Sequence, residues 1–70
     1  MYWVKANPDG LKRYKKKQAV YLQTVNGIEI WRSIHGMSRL IRESDGDYYI
    51  SNADCFTINE AIALAKKYRR

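Results

Sequence analysis

Lys12, Arg13, Lys15, Lys16 and Lys17 bracket Tyr14 in one short run near the start of the chain. Side chains of these types in this order suit a polyanion: cations neutralise phosphates, and a flat ring interleaved with them offers an unpaired base something to stack on. Trp31 and Arg32 follow in a strand-forming stretch, and Arg39 and Arg42 in another. Arginine on a sheet surface can also address guanine edges in a major groove. The expected nucleic-acid contacts are therefore Lys12, Arg13, Tyr14, Lys15, Lys16 and Lys17, with Trp31, Arg32, Arg39 and Arg42 completing one basic and aromatic surface.

Other chemistries find less support. A thiol nucleophile needs a base within hydrogen-bond reach and a pocket around both; the only pair on offer is Cys55 with His35. A single cysteine cannot form a disulfide framework or a cysteine zinc site, and it suits a reducing compartment. Asp45, Asp47 and Asp54 lack the regularly spaced oxygens of a calcium loop, and Asp45-Gly46 is explained by turn chemistry. No phosphate-cradling glycine loop and no His-Glu-x-x-His motif occurs. The expectation is a non-catalytic protein without metal or cofactor.

Charge is unevenly spread over the 70 residues, whose net is +6. The first stretch sets Lys5, Lys12, Arg13, Lys15, Lys16 and Lys17 against Asp9 alone, and Lys66, Lys67, Arg69 and Arg70 close the chain. The middle is mildly acidic. An anionic partner would meet the ends first. No signal-peptide pattern or membrane-spanning run is read, which makes the cytoplasm the expected location.

These residues need elements to position them. Asn26-Gly27 predicts a tight hairpin turn, since both positions of such a turn take positive φ. The flanking runs Ala19–Val25 and Ile28–Ile34 are rich in β-branched and aromatic residues. A regular ladder would put Val25 opposite Ile28, Gln23 opposite Ile30, Tyr21 opposite Arg32 and Ala19 opposite Ile34 on one side. The other side would pair Thr24 with Glu29, Leu22 with Trp31 and Val20 with Ser33. Neither side is cleanly polar, so the side that a helix covers stays open.

Asp45-Gly46 predicts a second hairpin, with Ile41 opposite Ile50, Glu43 opposite Tyr48, Arg42 opposite Tyr49 and Leu40 opposite Ser51. Strand is preferred for Ser38–Glu43 over one helical turn turning Met37, Leu40 and Ile41 inward. Tyr2-Trp3-Val4 reads as an edge strand, Asn7-Pro8-Asp9-Gly10 as a tight turn, and residues 11–17 as mostly loop or the lead into the next strand. Thr57 with Glu60 is a capping box opening a helix of about residues 58–69, with Ile58, Ala61, Ile62, Ala65 and Tyr68 on its inner stripe.

Together these predict one small α+β domain: an antiparallel sheet of four to five strands with a C-terminal helix packed across one face. The expected core is Val20, Leu22, Ile28, Ile30, Ile34, Ile41, Ile50, Ile58, Ile62, Ala65 and Tyr68. Strands followed by one helix, with Phe56-Thr57 leading into Glu60-Ala61 and Ala65, resemble in architecture the sheet-reading DNA-binding domains, such as the arm-binding domain of phage-type integrases. That resemblance implies three strands on a helix and carries no residue role with it.

The function expected first is nucleic-acid binding. The alternative is a small protein-binding regulator or inhibitor, of phage or mobile-element type, acting on a larger acidic partner. Trp, Tyr and Arg are typical interface anchors, and an unpaired edge strand could recruit a partner strand or a second copy of the chain as a homodimer.

Overall fold

The computed structural model describes residues 1–68; the predicted contributions of Arg69 and Arg70 lie outside them. Five strands form one antiparallel sheet: β1 (Trp3–Lys5), β2 (Ala19–Val25), β3 (Ile28–Ser33), β4 (Ser38–Ser44) and β5 (Asp47–Ser51), in the order β1-β5-β4-β3-β2. α1 (Pro8–Arg13) continues into a π-helical turn, Tyr14–Gln18, and α2 (Ile58–Lys67) follows the sheet. No helix among the described residues is long and apolar enough to cross a membrane.

Both hairpin turns form as expected, with positive φ at Asn26 and Gly27 and again at Asp45 and Gly46. Ile41 faces Ile50, Arg42 faces Tyr49 and Glu43 faces Tyr48. At Leu40 the ladder gives way to a side chain: its N–H donates to Ser51 Oγ at 3.1 Å, and that hydroxyl donates in turn to the Ala53 carbonyl. Ser38–Ser44 is strand, and Cys55 pairs back onto Ser38 to lead into α2.

The first hairpin departs from the regular ladder. A β-bulge at Leu22 shifts the register, so Tyr21 pairs with Trp31, Val20 with Arg32 and Ala19 with Ser33, each one residue off the expected partner. The bulge resolves the puzzle of apolar residues on both sides. An extra residue re-aims the strand, so Leu22 and Val25 reach the cluster under α2 while Tyr21 and Ala19 join the Trp31 side.

α2 covers the face carrying Ile28, Ile30 and Leu40, sealing it with Ala61 and Ala65 and with the flanks of Ile58, Ile62, Leu64 and Tyr68. Thr57 caps it by accepting from the Glu60 N–H at 3.2 Å. Two expected core residues are not core. Val20 is 62 % exposed and Ile34 67 %. Val20 sits beside Arg32, at the end of the sheet that α2 leaves open, and Ile34 lies past β3 in the turn, its N–H bonded to the Gln18 carbonyl. Leu22, Ile50, Ile58, Ile62 and Tyr68 are half-buried; Ala61 is buried, as its place on the inner stripe of the helix predicts, and Leu11, Ala19, Leu40 and Cys55 are buried outside the expected core.

The largest correction concerns residues 7–18, which are helix and not turn and loop. Asn7 is an N-cap whose Oδ1 accepts from the N–H groups of Asp9 (3.0 Å) and Gly10 (3.1 Å), and Pro8 occupies the first helical position, where no N–H is needed. The segment must carry the chain from one edge strand, β1, to the other, β2. Its eleven residues extend roughly 16 Å as helix, against roughly 19 Å across five strands. It therefore lies across the sheet, on the face opposite α2, and turns Leu11 inward.

Candidate nucleic-acid interface

The helical strap fixes where the basic run points. Leu11 and Lys15 are turned toward the sheet, Leu11 buried and Lys15 half-buried, whereas Lys12, Arg13, Lys16 and Lys17 are exposed. The π turn matters here, because it changes the angular step between successive side chains just where Tyr14 and Lys15 meet the strands.

Lys15 is not a free phosphate ligand. Its Nζ lies 5.2 Å from the centroid of the Trp31 ring, 5.3 Å from that of Tyr48 and 3.2 Å from Glu29 Oε1. Trp31 Nε1 donates to the same Glu29 oxygen at 2.8 Å. Two ring faces and a carboxylate thus enclose one ammonium, an arrangement favoured by the ring quadrupoles. Tyr21 stacks edge-on against Trp31 with centroids 5.5 Å apart. Trp31 is half-buried and engaged on both sides, so it is a wall of this cage before it is a platform for a base.

Tyr14 is also half-buried. Burial raises its hydroxyl pKa above the ordinary tyrosine value, with Arg39 opposing and Asp54 adding to the rise. The hydroxyl is enclosed and has no hydrogen-bond partner among the described residues. Arg39 shares this face and gives its Nε–H to Asp54 Oδ1 at 2.6 Å. Arg32 and Arg42 stand on the opposite face by strand alternation. The Arg42 guanidinium lies 4.9 Å over the Trp3 ring, and its Nε is buried and unpartnered. The sheet thus gathers Lys12, Arg13, Tyr14, Lys15, Lys16, Lys17, Trp31 and Arg39 on one side and separates Arg32 and Arg42 from them.

Sequence reasoning missed a cleft of about 470 Å³ beside this ridge. Tyr14, Gln18, Ser33, His35, Arg39 and Asp54 line it, with Ile34 and Met37 as its apolar wall. No local signal foretells it, because its walls come from the strap, the β3–β4 turn and the connector before α2. His35 is at its exposed rim, while Cys55 is buried under α2 on the other face, so the two do not converge. Burial, reinforced by Glu60 and Asp54, raises the Cys55 pKa and holds the thiol protonated. The carboxylates considered as metal ligands are taken up differently: Asp47 pairs with Lys5 at 3.5 Å, and Asp54 with Arg39.

No family model, curated protein or solved structure matches the chain.

Proposed function

We propose that the protein is a non-catalytic nucleic-acid-binding domain whose contact surface is the outer side of α1 and the π turn. The observation that carries this reading is the exposed ridge of Lys12, Arg13, Lys16 and Lys17, for which no acidic partner is seen among the described residues. The ridge is held rigidly, because Leu11 and the caged Lys15 anchor its inner side. Cations fixed in advance lose less freedom on meeting phosphates than cations on a loop would. Arg39 and the cleft beside it extend the surface, and Arg32 and Arg42 have no part in it.

A salt series tests the reading. If all four ridge cations neutralise phosphates, log affinity should fall with log salt at a slope of about −3.6 for duplex DNA or about −2.8 for a single strand. Reversing Lys16 and Lys17 to Glu should weaken binding to every sequence alike and flatten that slope. Unaltered affinity in the double variant would overturn the proposal.

A second reading has its own support. β2 is a seven-residue edge strand without a charged residue, and Val20 and Tyr21 on it are exposed. Edge strands are usually blunted by charge or proline, so β2 is suited to pairing with an acidic partner protein or with a second copy in a homodimer. Under that reading Tyr21→Ala or Val20→Lys would abolish association with little salt dependence.

A further inference from the structure

The cleft beside the ridge has the volume of a small-molecule site, and its polar groups are not neutral in what they would accept. Arg39 uses Nε on Asp54 Oδ1, which leaves the terminal guanidinium donors and the second carboxylate oxygen of Asp54 for a ligand. Those two side chains present a donor next to an acceptor that can take two N–H groups from one side. Among the bases, only guanine has the matching Watson–Crick edge: O6 accepts, while N1–H and N2–H donate side by side. Adenine and cytosine place acceptors where the carboxylate would need donors, and uracil and thymine offer a single N–H.

The surroundings fit a base as well. The Tyr14 ring, Ile34 and Met37 supply the apolar walls that a flat heterocycle needs. Tyr14 and Gln18 line the cleft, and their sequence neighbours Arg13 and Lys17 belong to the ridge, so a base in the cleft would leave its phosphates beside exposed cations. The enclosed, unpartnered Tyr14 hydroxyl leaves this wall with an unmade hydrogen bond.

The geometry points to a base-specific subsite: the cleft accepts one unpaired guanine of a single strand whose phosphates run along the ridge, with Asp54 taking N1–H and N2–H and Arg39 donating to O6. This rests on the nucleic-acid reading above and adds to it a sequence preference that the ridge alone cannot provide.

Fluorescence anisotropy with a labelled thymidine homopolymer, and with the same oligomer carrying one central G, A or C, separates the two claims. The G oligomer should bind about tenfold more tightly than the others, the scale of one good bidentate contact. Asp54→Asn should erase that preference, so that the variant binds the G, A and C oligomers and the homopolymer alike; Asp54 is exposed, so the variant is expected to fold, which its circular dichroism checks. Titration of the wild type with guanosine monophosphate should shift the NMR signals of His35 and Arg39, and adenosine monophosphate should not. Equal affinity for all oligomers, or a G preference that survives Asp54→Asn, overturns the guanine subsite and leaves the ridge standing. Failure to bind any oligomer overturns both.

Discussion

The two faces of the sheet are covered by helices of opposite character. On one, α2 lays alanines and aliphatic side chains over Ile28, Ile30 and Leu40, all fully buried. On the other, the strap of α1 and the π turn buries Leu11 on the side that carries Ile41 and then meets the strands through charge and rings: Lys15 in its cage, Tyr14 lining one cleft with Arg39, Arg39 on Asp54. Stability comes mainly from the first face, because burial of apolar surface outweighs partly exposed ion pairs and cation–π contacts. Specific recognition is left to the second, whose cover is polar, half-buried and basic outside. A 70-residue chain can spare only one face for this, since a second dry layer would need more sequence.

The dry face should be the more sensitive to truncation. Ile30→Ala should cost about 3 kcal/mol or more, a large part of the stability of so small a domain, measured by chemical denaturation. A loss no greater than that from a strap variant would mean the faces contribute alike. Thr57→Ala removes the cap of α2 and should cost about 1 kcal/mol, with oligonucleotide affinity unchanged. Lys15→Met keeps the stem between Trp31 and Tyr48 but removes the ammonium, and should cost on the order of 0.5–1 kcal/mol, with loosened protection of the strap amides in hydrogen exchange. Here affinity should fall as well, since the ridge loses its anchor.

Alkali should sharpen the contrast most gently. Burial raises the pKa of Cys55 under α2 and of Tyr14 under the strap above their ordinary values of 9.0 and 10.0. The fold favours the protonated forms, so their contribution is fully present below those values and is lost as pH rises through the folded-state values. Stability should therefore decline above about pH 9, and Tyr14→Phe should remove the tyrosine part of the decline while leaving the cysteine part. A flat profile from pH 8 to 11 would contradict the burial of both groups.

Much of this architecture is legible locally. Asn26-Gly27 and Asp45-Gly46 specify their turns because few other residues accept positive φ, and Thr57 with Glu60 marks the start of α2. The strap was equally legible in Asn7 followed by Pro8, an N-cap and a first helical position. The same four residues also satisfy the pattern of a tight turn, and the lysines beyond show no apolar period. The bulge at Leu22 left no mark in the sequence, and with it went the register of Ala19, Val20 and Tyr21. Half of the candidate interface was thus readable as residue types, but not as neighbours: Arg39 meets Asp54 from 15 positions away.

By itself the sequence determined the two hairpin turns, the capped C-terminal helix and the excess of cations near the start, because each depends on residues a few positions apart; it limited the sheet to four or five strands, the fifth depending on Trp3–Lys5 meeting residues 49–51 across the chain. Only the tertiary structure decided which cations are free, which are caged, and which face each arginine takes. The reason is physical: sidedness passes through a ladder whose register a single bulge can shift, and a cleft exists only where distant segments fail to fill the space between them.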